Sequence, residues 1–209
     1  MKNLKNLFRK NKMYKIAILA STRGTDLQAI IDEMEAGKMP GIELAAVISN
    51  KKNCQALERT REHGFDAYYV NPKGRTRVEF DQEMAQILNE KKVDLICLIG
   101  YMRILSEWFV KEFKGKIINV HPAIDLKKYG GEGFFGGNVH RSVLNAGEKE
   151  TGCTIHYVTE DVDAGPIIAQ EKVEIKDGET VDTLKDKVQA CEKKLYPEVI
   201  RKFASGELT

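Results

Sequence analysis

Val93-Asp94-Leu95-Ile96-Cys97-Leu98-Ile99, with Gly100 directly after it, is the stretch that decides the fold. Its apolar residues leave no face for water, so the run reads as a central strand buried on both sides. Strands of that kind belong to parallel sheets covered by helices on each face. The neighbouring sequence supplies the covers. Strand-like runs at 14–20, 43–49, 66–70, 116–121, 152–159 and 166–175 alternate with helical patterns at 26–36, 53–63, 75–91 and 138–146 and a helical turn at 106–113. Helix 75–91 should turn Val78, Met84, Ile87 and Leu88 inward. A closing helix carries Val181, Leu184, Val188, Cys191, Leu195, Val199, Ile200 and Phe203 at three- and four-residue steps, and Pro197 is expected to kink or interrupt it. The expected class is α/β: a Rossmann-like, doubly wound, mostly parallel sheet of about seven strands flanked by helices.

Composition narrows the function classes. With 209 residues, 42% hydrophobic and 31% charged, the chain suits one well-cored domain over 14–209. Residues 1–15 hold six basic side chains and no acid, which leaves 27 basic against 31 acidic residues in the body. The net +2 therefore reports a basic extension, residues 1–13, expected to be poorly ordered. An acidic body is a poor match for nucleic acid. No run approaches the ~20 apolar residues of a membrane span, and residues 1–13 lack a secretory core. Cys54, Cys97, Cys153 and Cys191 are scattered and read as reduced thiols of a cytoplasmic protein. Cys153 and His156 would face opposite sides of a strand, so no metal site is expected.

Ligands of open α/β sheets bind beyond the carboxyl ends of the strands, where strand order reverses. Three segments end at that edge: the loop at 21–26, the loop at 100–105 and Asn119–His121. Asn119-Val120-His121-Pro122 puts a carboxamide and an imidazole on one face of a strand, about 7 Å apart. Asp161-Val162-Asp163-Ala164-Gly165-Pro166 adds a carboxylate able to orient the ring. A donor, a titratable ring and an acid suit acyl transfer, while a strand end followed by turns is the plainer reading of Asn-x-His alone. Ser21-Thr22-Arg23-Gly24-Thr25-Asp26, between a strand and a helix, either cradles an anion on free N–H groups or merely caps the helix through Thr25 or Asp26. It is neither a Walker loop nor Gly-x-Gly-x-x-Gly. Gly100-Tyr101-Met102-Arg103-Ile104-Leu105 gathers apolar side chains around one Arg, which suits either a flat heterocycle with polar edges or ordinary core.

Gly-Tyr-Met-Arg-Ile-Leu (100–105), Ile-Asn-Val-His-Pro (118–122) and Asp-Val-Asp-Ala-Gly-Pro (161–166), in this order and spacing, resemble the folate-dependent formyltransferases over about residues 14–208. The resemblance implies the formyltransferase fold and transfer of a formyl group from 10-formyltetrahydrofolate, as co-substrate and without metal, to the primary amine of 5-phosphoribosylglycinamide in purine synthesis. It implies Asn119, His121 and Asp163 as the catalytic trio. Gly24, Thr25 and Asp26 would hold the acceptor's phosphate, with Gln189 and Glu192 touching its glycinamide. Arg77, Met102, Arg103, Ile104, Leu105, Thr159, Glu160, Asp161 and Val162 would line the folate side. Small-molecule substrates, no nucleic acid, no membrane and a monomer or homodimer complete the picture.

Two departures stand out. After His-Pro the chain runs on through a longer segment with five glycines in positions 130–137. That segment is either a mobile lid bearing Phe134 and Phe135 or an irregular connection. Asp26 stands where the family commonly has Asn, and a purely capping role is expected for it. His63 and His140 read as structural, and His156 as a core histidine or a support of the site. Sugar-nucleotide formyltransferases share the trio and remain the nearest rival, and a non-catalytic folate- or nucleotide-binding module is the rival of another class. Transfer-RNA formylating and formyltetrahydrofolate-hydrolysing relatives carry extra domains, for which this chain is expected to be too short.

Overall fold

The computed structural model describes residues 12–209, so all but Lys12 and Met13 of the expected basic extension lies outside the described residues. In chain order the elements are β1 (Tyr14–Ala20), α1 (Thr25–Glu35), β2 (Ile42–Ser49), α2 (Gln55–Glu62), β3 (Ala67–Tyr69), α3 (Arg77–Lys91), β4 (Leu95–Ile99), α4 (Glu107–Glu112), β5 (Ile117–His121), α5 (Leu126–Tyr129), α6 (Gly137–Asn145), β6 (Glu150–Tyr157), β7 (Ile167–Glu174) and α7 (Val181–Ser205). The strands form one sheet in the order β3-β2-β1-β4-β5-β6-β7. The pairings from β3 to β5 are all parallel, and β6 lies antiparallel to both β5 and β7. The doubly wound, mostly parallel sheet expected from the sequence is thus what forms.

All five residues of β4 are buried. Strand alternation sends Leu95, Cys97 and Ile99 to one face and Ile96 and Leu98 to the other. In β1, Ile16 and Ile18 split from Ala17 and Leu19 in the same way. One core lies against α1, α2, α6 and α7, and the opposite core against α3 and α4. Each buried aliphatic side chain stabilises by roughly 1.5–3 kcal/mol relative to exposure. Tyr196, fully buried on α7, donates its hydroxyl between the carbonyls of Leu98 (3.2 Å) and Ile118 (3.3 Å), bracing β4 against β5 just before both strands reach the site.

Two expectations about helices are corrected. The Thr76–Glu79 capping box fixes where α3 starts, and Phe80, Met84 and Leu88 at four-residue steps, with Ala85, then form its buried face. Val78 lies two residues before Phe80, about 200° round the helix, and is exposed rather than inward. In α7 the helix runs unbroken through Pro197. Tyr196, Pro197, Val199 and Ile200 are all buried there, so packing outweighs the one hydrogen bond that proline removes. Among the described residues, no helix is long and apolar enough to cross a membrane.

Candidate active site

Strand order reverses between β1 and β4, and the chain diverges there to opposite faces of the sheet. Ser21 ties the two strand ends together. Its N–H donates to Gly100 O (3.1 Å), and its hydroxyl accepts from the Met102 N–H (3.0 Å) while donating to Asn50 Oδ1 (2.6 Å). Beyond this point opens a cleft of about 820 Å³, walled by the loops after β1, β4 and β5, the glycine-rich segment, the loop after β6, and one face of α7.

The polar centre is where β5 ends. Asn119 and His121 share a face, as two residues apart in a strand must, and the loop after β6 brings Asp163 to both. Asp163 Oδ1 accepts from Asn119 Nδ2 at 3.3 Å, and Oδ2 lies 3.4 Å from His121 Nδ1 while accepting the Gly131 N–H at 3.0 Å. Asp163 adopts φ 54, the left-handed region that Asp tolerates better than most residues. Gly165 permits the turn, because a Cβ there would fall 1.8 Å from Tyr157 O. His121 Nε2 faces the Tyr129 carbonyl at 2.7 Å, so both ring nitrogens meet oxygen acceptors. Burial pushes the His121 pKa below its ordinary value, against the opposing pull of Asp163 and Tyr129. Burial raises the Asp163 carboxyl, but the His156 ring, the His121 charge and the Gly131 N–H outweigh it and hold it low.

His156, left open between core and support, is buried and supports the site. Its Nε2 lies 3.2 Å from Asn119 Nδ2 and 3.5 Å from Asp163 Oδ1, and its Nδ1 is 2.9 Å from Tyr157 O. His63 is structural, paired with Glu35 and Gln28. His140 is not only structural. It is buried on α6 against the cleft, its Nδ1 has no partner, and burial, Lys185 and His121 push its pKa down to about 4. No period or motif in the sequence marks it.

At one end of the cleft, Gly24 is the N-cap of α1 at φ 67, and no side chain caps the helix. The first N–H groups of α1 are thus free for an anion. A Cβ at Gly24 would come within 2.9 Å of Ala56 Cβ, so the loop depends on glycine. Thr25, Gln189 and Glu192 line the same end. Arg23, Lys51 and Lys185 join them, with no carboxylate within 4.0 Å of any of the three among the described residues. The capping role expected for Asp26 is not seen. Its side chain is buried, Oδ1 has no partner, and burial lifts its pKa to about 6.

The other end is apolar. Met102 and Ile104, 42% and 43% exposed, and Val162 turn into the cleft beside Leu105 and Val110. Arg103 stacks over the Phe80 ring at 4.6 Å and keeps a buried Nε without a partner. Thr159, Glu160 and Asp161 complete this wall. Arg77 does not line the cleft. It sits on the first turn of α3, where its charge acts on Asp81. The glycine-rich segment lies over the cleft, with Phe134 packed on Tyr129 edge-on at 6.5 Å and Phe135 left exposed. Among the described residues no group of three or more His, Cys, Asp or Glu is placed to hold a metal.

Comparison with known proteins shows the chain's family. The formyl transferase family pattern matches residues 14–200. The chain is 42% identical over 195 residues to the trifunctional purine biosynthetic protein adenosine-3 of Gallus gallus, covering 92% of this chain but 18% of that protein. It therefore spans about a fifth of the trifunctional relatives' length. It is 38% identical to phosphoribosylglycinamide formyltransferase of Haemophilus influenzae, covering 94% of this chain and 90% of that one. The crystal structure of glycinamide ribonucleotide transformylase 1 from Symbiobacterium toebii superimposes with a TM-score of 0.88 at 39% identity, covering 96% and 92% of the two chains.

Proposed function

The chain belongs to the formyl transferase family, and from that premise we propose that it carries a formyl group from 10-formyltetrahydrofolate to the primary amine of 5-phosphoribosylglycinamide. The observation that carries this reading is the meeting of Asn119, His121 and Asp163 within 3.3–3.4 Å in a cleft with one cationic and one apolar end.

The residues of the apolar end fit a folate. Met102, Ile104, Leu105 and Val162 offer faces for a flat ring, and the buried, unpartnered Nε of Arg103 needs an acceptor. Bound there, the co-substrate supplies an activated formyl carbon, on which negative oxygen develops as the amine attacks. Asn119 Nδ2 carries two protons held only in long contacts of 3.2 and 3.3 Å, so donating one to that oxygen costs little. His121 supplies a second donor and passes the amine's proton to the folate nitrogen as the bond from the formyl carbon to that nitrogen breaks, with Asp163 fixing its ring and favouring its charged form. His156 positions Asn119 rather than touching the reaction. The free N–H groups of α1, Thr25 and the three cations receive the acceptor's phosphate, with Gln189 and Glu192 at its glycinamide. Arg77, which does not line the cleft, is given no role in binding.

Small-molecule substrates follow from this reading, and we place the reaction in the cytoplasm as part of purine synthesis, with residues 14–209 as the working domain. The test is formyl transfer from 10-formyltetrahydrofolate to phosphoribosylglycinamide by the wild type and His121→Ala. Loss of one such donor should lower turnover by ~10²–10³. Equal rates would remove His121 from the mechanism, and transfer only to an amino-sugar nucleotide would change the acceptor.

A further inference from the structure

Asp26 stands on the first turn of α1 and Glu192 on α7, two helices that pack on one another. Both line the cleft, and they are only 5% and 7% exposed. Asp26 Oδ1 is shut off from water and has no hydrogen-bond partner. A buried carboxylate left this way is strongly disfavoured, and two of them side by side do not both ionise. Burial pushes both groups up, Asp26 to about 6 and Glu192 well above the carboxylate range, the latter also through the Asp26 charge. Lys193 on α7 opposes both shifts without cancelling either. The other titratable neighbours are Cys153 on β6 and Tyr196 on α7, whose own ionisation burial and these carboxyls push up, and Cys191 on α7, pushed up by burial and by Glu192. Arg23, Lys51, Lys185 and His140 face the same cleft.

A neutral carboxylic acid differs from a carboxylate in one decisive way: it has an O–H to donate. At the second residue of a helix whose first N–H groups are free, an ionised Asp would repel an anion. A protonated one adds a donor to the cradle. We propose that Asp26 acts as a carboxylic acid beside a neutral Glu192, donating its O–H to the phosphate-bearing end of the acceptor, so that acceptor affinity is tied to proton occupancy. This deepens the function proposed above and rests on its acceptor. It makes acceptor binding depend on the Asp26 proton, where with an Asn only the ligand's own ionisation would matter.

Ribose 5-phosphate is the probe, because it reads the site without catalysis. Calorimetric titrations from pH 5 to 8 compare wild type, Asp26→Asn and Glu192→Gln. Relative to Asp26→Asn, wild-type affinity should fall ~50-fold between pH 6 and 8 as the bound proton is lost. The asparagine variant then reports only the ligand's own second ionisation, near pH 6. In Glu192→Gln the fall should stay where the wild type has it, since Glu192 is already neutral while Asp26 titrates. Wild type and Asp26→Asn tracing the same curve, or no binding of ribose 5-phosphate at any pH, would overturn the proposal. Should either variant not fold, the carboxyl carbon-13 shift of Asp26 in the wild type decides. A midpoint above ~5.5 that rises with ligand supports it, and one near 4 sinks it. Formyl transfer measured alongside separates the two levels. Absent turnover of phosphoribosylglycinamide removes the acceptor, whereas the proton linkage stands or falls on ribose 5-phosphate alone.

Discussion

Replacing Asp163 by asparagine keeps the shape of the side chain and removes only its charge and one acceptor. Oδ2 receives Gly131 N–H at 3.0 Å and faces His121, while Oδ1 receives Asn119 Nδ2 at 3.3 Å. Whichever way the new amide turns, its NH₂ meets a donor, either the Gly131 N–H or the Asn119 amide. One buried donor is then unsatisfied, at a cost of about 1–3 kcal/mol. The charge matters as much. At the 3.4 Å separation of His121 Nδ1 and Asp163 Oδ2, the gross attraction is about 5 kcal/mol at an effective dielectric of 20. Its net effect on an imidazole beside a carboxylate is ~1–3 pKa units. His121 is already pushed down by burial, so the variant holds still less imidazolium at any pH. Both effects lower turnover, and together they should reduce kcat by ~10²–10⁴. Formyl transfer at saturating substrates, followed by release of the deformylated folate across pH 5.5–9, is the assay. Where the charged ring is the active form, the rate declines as pH rises through its pKa, and in Asp163→Asn that decline should begin at least about one unit lower. A variant within ~3-fold of wild type, with its midpoint unmoved, would refute the role of the pair.

Two other expectations follow from single groups. His140 has a folded pKa near 4 against about 6.5 unfolded, so below pH 6.5 the unfolded chain takes up a proton that the folded chain refuses. Stability should therefore fall with pH between 6.5 and 4, by up to about 2 kcal/mol at pH 5, and urea denaturation of His140→Gln should show a matching smaller loss. An acid sensitivity identical in both proteins would exclude His140 as its source. Gly165→Ala places a Cβ 1.8 Å from Tyr157 O, beside the pairing of Tyr157 N–H with Pro166 O at 2.9 Å. The loop must move and take Asp163 with it, so turnover should drop by at least ~10² while overpacking costs about 1–3 kcal/mol of stability. Normal turnover in this variant would mean that the loop tolerates the clash without displacing Asp163.

The parts of the fold visible in the sequence are those governed by periodicity. Leu95–Ile99 had to be buried on both faces because it offers no polar residue, and the sheet order places it beside β1 at its centre. Phase was harder to read than existence. The register of α3 follows from a capping box whose effect on direction no apolar count reveals, so Phe80 was missed and Val78 wrongly turned inward. Pro197 was read by local rule, while the helix obeys the packing of Tyr196, Val199 and Ile200 around it. α5 is a single turn pinned from outside: Asp125 caps it, and the Tyr129 hydroxyl donates to Glu148 at 2.7 Å. Nothing local announces such a turn, yet it delivers the carbonyl that His121 meets.

The site divides along the same physical line. Asn119 and His121 were legible because a strand's two-residue period puts them on one face whatever the rest of the chain does. His140, Asp26 and Glu192 were misread or only half read because their character comes from tertiary burial, which no window of sequence contains. His121 and His140 are bases held below their ordinary pKa, and Asp26 and Glu192 are acids held above theirs. Each is thereby biased toward neutrality in one cleft, while Asp163 alone among these groups is held ionised by donors on three sides. With these buried neighbours biased toward neutrality, the ionised Asp163 is the charge set directly against the reactive ring, and its field falls on His121. It also leaves orphaned donors and acceptors, on Arg103, His140 and Asp26, that folding alone does not satisfy. Unsatisfied groups of this kind destabilise the empty protein and strengthen whatever ligand completes them. Stability therefore argues against these residues where they stand, and ligand binding argues for them.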